Sequence, residues 1–422
     1  MSVLYADEID QNTSYEGDSN DKLRCLDEAE VNIPKEKPRN LIAYWLLGLC
    51  NNYAYVIMLS AAHDILSEDF QGNSTVPTPS PTTNNTRDCN PVSTGAILLA
   101  DVLPSLAMKL TMPFLLTHIR LRVLIVIILS SASFLLVSFS TAQWQAFLGV
   151  VFAAISGGLG EVTFLQYSSH YDKNVVSTWS SGTGGSGLFG ALSFAALTTA
   201  GLSARKTVLL MLVIPGLMAI TFFFILDHEK RRVKTNDSDT EPLMEENQPS
   251  FKGHIAPISM KSKCRMLPRM ARFIVPLGSV YLFEYFINQG VFELIYFDGI
   301  WLDHHSQYRW LQVDYQLGVF LSRSSVNLFR INAIWFLAVL QTAVIQDTYV
   351  LMIFSLEGLL AGAAYVNTFY RVAFETIPQE KAFAMGITSL AGSVGVSTAG
   401  ALAVPFHQYL CSLPLIDRIT KW

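Results

Sequence analysis

Long apolar stretches separated by short polar loops recur along most of the chain. Most of them have about the 20 residues that an α-helix needs to cross roughly 30 Å of hydrocarbon. They predict spans at residues 41–63, 94–117, 121–141, 143–167, 177–201, 206–226, 271–297, 311–329, 331–346, 348–370 and 382–405. The pattern therefore predicts an all-α polytopic membrane protein with about 11 transmembrane helices.

The composition agrees with this pattern. Of 422 residues, 51% are hydrophobic and only 15% are charged, whereas soluble chains carry about 25% charged residues. The net charge of −5 lies mainly in loops and tails, and the five cysteines show no metal-ligand spacing. We expect membrane lipid around the spans, no nucleic-acid partner, no metal and no cofactor.

Basic residues beside the spans predict the orientation. Lys35, Lys37 and Arg39 precede the first span, and further basic residues cluster in the long loop 227–270, which places both in the cytosol. The predicted segments are a disordered cytosolic tail (1–38), a six-helix bundle (39–226) with a luminal loop (65–93), a disordered cytosolic loop (227–270), a five-helix bundle (271–405) and a short tail (406–422).

A faint internal repeat relates the two predicted bundles. YWLLGLCNNY (44–53) aligns with YLFEYFINQG (281–290), which matches Asn51 to Asn288, and further along GLGEV aligns with GAAYV. Duplicated helix sets joined by a long loop are the plan of major-facilitator transporters. We therefore predict a major-facilitator-like, two-bundle architecture.

Eight ionisable residues are candidates for a position near the centre of a predicted span, where each costs at least about 2.5–3.5 kcal/mol. They are Asp101, Lys109, Glu161, Glu284, Glu293, Asp314, Arg323 and Glu357. Such residues either face a hydrated cavity or join neighbouring helices by hydrogen bonds. In an acidic compartment the carboxylates of Glu161, Asp101, Asp314 and Glu357 are candidates for carrying protons.

The stretch EYFINQGVFE in the seventh span is unusually polar. At 100° per residue, Glu284 and Asn288 lie about 40° apart, while Glu293 falls on roughly the opposite side. Either protein surrounds this helix, or the helix unwinds near Gly290 and exposes backbone groups to a substrate site. Packing against neighbouring helices is the alternative.

Arg323 and Lys109 are the two cations near membrane depth. An anionic substrate such as a phosphate ester needs a cation, and arginine offers a planar fork for it. The alternatives are that Lys109 extends to the cytosolic interface, and that Arg323 pairs with a carboxylate of another helix.

The glycine-rich run WSSGTGGSGLFGAL (179–192) suggests a phosphate-binding loop, but it lacks the Gly-Lys-Ser/Thr ending of such loops. Its small residues predict close, sliding helix contact instead. With no nucleophile–base motif in the sequence, we expect a protein that is not an enzyme.

Two loops carry modification and sorting motifs. Asn73 and Asn84 begin sequons in the luminal loop, so we expect glycosylation there. In the cytosolic loop, DTEPLM places acidic residues before Leu243 and Met244, as in acidic dileucine sorting signals. A solvated linker is the alternative.

Several long motifs resemble the battenin family of lysosomal and late-endosomal membrane proteins. They include YWLLGLCNNYAYVIMLSAAHDIL, WSSGTGGSGLFGALS, EYFINQGVFEL and EGLLAGAAYVNTF. The resemblance implies a multi-pass protein related to major facilitators that clears glycerophosphodiesters, supporting lysosomal pH and phospholipid catabolism. It also implies cytosolic sorting adaptors as partners of loop 227–270.

Binding a small phosphodiester anion would require a cation surrounded by polar groups. The expected binding residues are Arg323, Asn288, Gln289 and Glu293, followed by Glu284, Asn51, Asn52 and Lys109. The alternative function is a non-transporting membrane scaffold or trafficking adaptor that acts through its cytosolic loop.

Overall fold

The computed structural model describes residues 37–70, 94–115, 118–228, 259–290, 304–344 and 350–412. Within these ranges the chain is helical and contains no strand. The α-helices are Pro38–Phe70 (α1), Thr94–Thr111 (α2), Ile119–Ser138 (α3), Gln143–Tyr167 (α4), Asn174–Thr199 (α5), Ala204–Leu210 (α6), Val213–Ile220 (α7), Met260–Gly290 (α8), His304–Arg323 (α9), Ile334–Val344 (α10), Val350–Glu375 (α11) and Pro378–Ser412 (α12). Short 3-10 helices at Met112–Phe114 and Ser168–His170 and a π-helical turn at Thr221–Ile225 complete them.

Each predicted span coincides with helix in this part of the chain, so the all-α fold class is confirmed. Six stretches of the described residues are long and apolar enough to cross a membrane: Pro38–Met58, Ile119–Ser138, Gln143–His170, Ala204–Ile225, Met260–Asn288 and Gln379–Leu410. The other predicted spans fall on α2, α5, α9, α10 and α11. Among these, α2, α9 and α11 carry ionisable residues and α10 has only 11 residues.

Helix α8 begins at Met260, earlier than the predicted span start at residue 271 and within the predicted loop 227–270. Its first turns are amphipathic, with Lys261, Arg265 and Arg269 exposed and Met266 and Met270 buried. Hydropathy alone misses such a basic helix end. The helix continues through Gly290, so the unwinding considered for this stretch does not occur before that residue.

Helix α9 ends at Arg323, although the sequence predicts a span to residue 329. The hydroxyls of Ser324 and Ser325 donate to the carbonyls of Phe320 and Ser322, at 2.7 and 2.8 Å. Serine hydroxyls that bond to nearby carbonyls compete with continued helix. The helix therefore stops with a cation in its last turn, where the macrodipole favours positive charge.

The helices up to residue 228 pack on one another, as do those from residue 260 onward. Two helix pairs join these groups most extensively, α2 with α12 and α5 with α9. Between the two groups, α1, α2 and α4 lie on one side and α8, α11 and α12 lie on the other.

The glycine-rich run lies inside α5 and brings it against α1. A Cβ added at Gly48 would lie 2.6 Å from the carbonyl oxygen of Trp179, and one at Gly182 would collide with the carbonyl of Trp45. The prediction of close helix packing by small residues is confirmed.

Several predicted features lie outside the described residues. These are the sequons at Asn73 and Asn84, the sorting motif at Leu243 and Met244, the carboxylate of Glu293, the side chain of Gln289 and nearly all of the tail 1–38. Helix α1 reaches Phe70 and α12 reaches Ser412, each beyond the predicted end of its span.

Candidate functional site

A cavity opens between the two groups of helices. It contains about 760 Å³ of space between its atoms, including its open mouth. Residues of α1, α2 and α4 line one side and residues of α8, α9, α11 and α12 line the other. Asn51, Asn52, Asp101, Lys109, Glu161 and Arg323 from the predicted set all line it.

An ion pair crosses one wall of the cavity. Lys109 Nζ on α2 lies 2.6 Å from Glu161 Oε2 on α4, with side-chain exposures of 9% and 13%. Tyr365 of α11 donates its hydroxyl to Glu161 at 3.4 Å. Lys109 is therefore bound inside the protein, and the alternative in which it extends to the interface is wrong.

Arg323 occupies the opposite wall, at the end of α9. One terminal nitrogen donates to Thr183 Oγ1 at 2.8 Å and the other to the Tyr281 hydroxyl at 3.1 Å. The guanidinium carbon lies 4.2 Å from the centre of the Tyr365 ring, and Nε donates to none of the described residues. The residue is 9% exposed. In the described ranges no carboxylate forms a salt bridge with it, and Glu284 of α8 interacts with it electrostatically over a longer distance.

Asp101 and the first-helix asparagines supply further polar groups. Asp101 is 1% exposed, and neither of its carboxylate oxygens accepts a hydrogen bond from the described residues. Asn51 donates to the carbonyl of Gly157 and to the side chain of Asn52, each at 3.2 Å. The Oδ1 atom of Asn51 has no donor in the same ranges.

Glu284 and Asn288, two polar residues of α8, lie outside the cavity. Glu284 accepts a hydrogen bond from the Tyr315 hydroxyl, and Asn288 accepts one from Gln312 Nε2 at 3.0 Å. Both are buried against α9 and neither lines the cavity. The structure therefore does not bring Glu284 and Asn288 into the cavity, because their face of α8 is turned toward α9, as in the packing alternative.

Two of the proposed proton carriers also lie away from the cavity. Glu357 on α11 is fully buried, and neither carboxylate oxygen accepts a hydrogen bond from the described part of the chain. Asp314 on α9 is partly buried and does not line the cavity. Of the four candidates, the structure brings Asp101 and Glu161 into it.

Tyrosines form much of the remaining lining, and the sequence reasoning missed them. Tyr55 and Tyr285 place their hydroxyl oxygens 3.4 Å apart, and the rings of Tyr281 and Tyr285 stack with centroids 6.0 Å apart. Tyrosine is compatible with apolar spans, so a selection of charged and amide residues within those spans does not include it. One signal existed, since the repeat aligns Tyr365 with Glu161 and these two residues meet in the cavity.

The described residues show no candidate metal site. Within the described residues no three His, Cys, Asp or Glu side chains are grouped so that they could hold a metal ion. The cavity instead presents two cations, two carboxylates, amides and hydroxyls. This donor set suits a small, polar, charged organic molecule.

Known proteins resemble the chain over nearly its whole length. The model of the CLN3 protein family matches residues 42–413. Battenin of Canis lupus familiaris is 43% identical over 435 residues, covering 94% of this chain and 99% of the relative. Protein BTN1 of Saccharomyces cerevisiae is 33% identical over 419 residues, covering 89% and 95%.

Among solved structures, the Escherichia coli fucose:proton symporter FucP aligns with a TM-score of 0.50 at 11% identity, covering 89% of this chain and 99% of that one. At this identity the likeness concerns the fold alone. It establishes a major-facilitator-like architecture, as the internal repeat predicts.

Proposed function

Because this chain belongs to the CLN3 protein family, we propose that it is a membrane transporter that exports glycerophosphodiesters by alternating access. We place it in lysosomal and late-endosomal membranes, where it supports phospholipid catabolism and lysosomal pH. Transport is coupled to protons through the cavity carboxylates Asp101 and Glu161. Its similarity to battenin and its fold support this proposal.

The observation that carries the proposal is the environment of Arg323. Burying a cation with no carboxylate in salt-bridge distance is costly, and an anion bound beside it would offset that cost. Glu284 of α8 attracts Arg323 only over a longer distance. Two of its nitrogens donate to hydroxyls and Nε faces no protein acceptor among the described residues. A phosphodiester would supply both the missing charge and the missing acceptors, in the geometry that arginine favours.

The rest of the lining fits the remainder of such a molecule. Lys109 and Glu161 neutralise each other, so they add polarity without adding net charge. Asn51, Asn52 and Ser105 offer amide and hydroxyl groups to a glycerol moiety. A cavity walled by both helix groups also suits alternating access, because each wall belongs to a different group.

Flux measurements on the purified full chain in lipid vesicles test the proposal. We expect saturable uptake of a radiolabelled glycerophosphodiester. Losing one partner of a buried, hydrogen-bonded charge pair costs at least about 2 kcal/mol, so Arg323→Gln should lower kcat/KM by at least about 30-fold. Arg120→Gln, an exposed arginine at the start of α3, is the matched control and should transport normally.

The same experiment separates transport from the scaffold alternative. No saturable flux, together with retained binding of cytosolic partners through loop 227–270, would reject transport. Normal uptake by Arg323→Gln would remove Arg323 as the anion-binding residue.

A further inference from the structure

We propose that the cavity selects zwitterionic substrates, with the phosphodiester at Arg323 and a cationic head group at Asp101. This preference rests on the function proposed above and specifies its substrate class. Glycerophosphodiesters with an amine or quaternary ammonium head group should be preferred over those with a neutral polyol head group.

The balance of charge in the cavity is the first argument. Four charged side chains line it: Asp101, Lys109, Glu161 and Arg323. Lys109 and Glu161 pair with each other at 2.6 Å. One cation and one carboxylate are left, each at least nine-tenths buried and neither in a salt bridge with a described residue. Lys109 and Glu284 attract them only over longer distances.

The two remaining charges occupy different parts of the cavity. Asp101 lies on α2 and Arg323 at the end of α9, on opposite sides of the cavity, and Arg323 contacts Tyr281 and the Tyr365 ring. The stacked rings of Tyr281 and Tyr285, with centroids 6.0 Å apart, connect the two regions. Because Asp101 and Arg323 form no ion pair, a single molecule with opposite charges on a short spacer can satisfy both.

The surroundings of Asp101 favour a cation over a neutral group. Tyrosine rings attract ammonium groups through cation–π interactions, which strengthen when the site is desolvated. Lys109 forms its salt bridge with Glu161, so beside a polyol head group Asp101 would keep only a longer-range attraction to Lys109 and no counter-ion of its own, which is costly for a buried carboxylate. An ammonium group and a proton neutralise Asp101 in the same way, so occupancy by one excludes the other.

Transport of two probes by the unmodified protein gives the primary test. Radiolabelled glycerophosphocholine and glycerophosphoglycerol share the phosphodiester and differ in head-group charge. In vesicles that contain the full chain, we expect a KM about tenfold lower for the choline ester, equivalent to about 1.4 kcal/mol. Equal KM values, or a preference for the glycerol ester, would overturn the inference.

Substitutions test whether Asp101 causes the preference for a cationic head group. Asp101→Asn should raise the KM of glycerophosphocholine about tenfold relative to that of glycerophosphoglycerol, so that the ratio of the two KM values approaches one. Because Asp101 is also a proposed proton carrier, this ratio is the readout, and neither absolute transport rate is. The matched control is Asp227→Asn, since Asp227 lies outside the cavity and pairs with Lys37; it should keep the wild-type ratio of KM values. An unchanged ratio in Asp101→Asn would refute the role of Asp101.

The outcomes for the two proposals are distinct. If neither ester is transported, the proposed function itself fails. If both are transported without discrimination, transport stands and only the zwitterion preference is lost. Because the wild-type ratio needs no mutation, the test holds even if Asp101→Asn does not fold.

Discussion

The Lys109–Glu161 ion pair allows a quantitative test of the site's interior. Its Nζ–Oε2 distance is 2.6 Å and its side chains are 9% and 13% exposed. Lys37 and Asp227 form a pair of almost the same length, 2.7 Å, but with exposures of 60% and 22%. The two pairs share their chemistry and differ in burial, so a comparison isolates the effect of the environment.

The expected magnitudes follow from burial. Removing one partner of a buried pair leaves an uncompensated charge and typically costs about 3–5 kcal/mol, whereas a surface pair contributes about 0–1 kcal/mol. Lys109→Met or Glu161→Gln alone should therefore lower the free energy of unfolding by about 3–5 kcal/mol. The double variant should recover most of that loss, because no charge is then left unpaired. Lys37→Met should cost at most about 1 kcal/mol.

The assay is reversible unfolding of purified protein in mixed detergent–dodecyl sulfate micelles, analysed as a double-mutant cycle. A coupling energy of at least about 4 kcal/mol is expected for Lys109 and Glu161, because each single variant loses at least about 3 kcal/mol whereas the double variant loses less than about half of that. If the two single losses simply add in the double variant, or if Lys109→Met costs no more than Lys37→Met, the buried pair does not exist as described.

Two further predictions concern other parts of the fold. Gly48→Val should lose about 1–3 kcal/mol of stability through overpacking against the Trp179 carbonyl. The control is Gly216→Ala, at an exposed helical glycine whose added Cβ would meet nothing within 4 Å; this variant should be neutral or stabilising by up to about 1 kcal/mol. Equal losses in both variants would contradict the packing argument. Tyr365→Leu removes the ring beneath Arg323 and should raise the KM for a glycerophosphodiester about 3- to 30-fold. Tyr365→Phe keeps the ring and should change that KM much less. Identical KM values for the two variants would rule out a role for the ring face.

Hydropathy predicted where the helices lie better than where they end. Helix α4 has the predicted bounds, 143–167, because Gln145 Oε1 accepts the backbone N–H of Thr141 at its start and a 3-10 turn follows at Ser168. The predicted end of α9 and the predicted beginning of α8 were wrong for the same reason. An apolar window reports which residues suit lipid, whereas helix bounds depend on hydrogen bonding by side chains such as Ser324 and on amphipathic turns outside the apolar region.

The site was less predictable than the fold. Glu161 and Glu284 look alike in the sequence, as single carboxylates within apolar spans. One lines the cavity and the other lies against α9, because the rotation of each helix is set by its packing partners. Leu277, Tyr281 and Tyr285 are the α8 residues that line the cavity, and the two tyrosines lie about 60° around the helix from Glu284 and Asn288. No pattern of polar residues marks that face.

The contact between α1 and α5 restricts how the molecule moves. Each helix sets a glycine against a main-chain carbonyl of the other, Gly48 against Trp179 and Gly182 against Trp45. Backbones that touch at two places can neither roll nor slide over one another without a steric clash. Any opening and closing of the cavity must therefore carry these two helices together as one rigid body, and the displacement has to be taken up at other junctions.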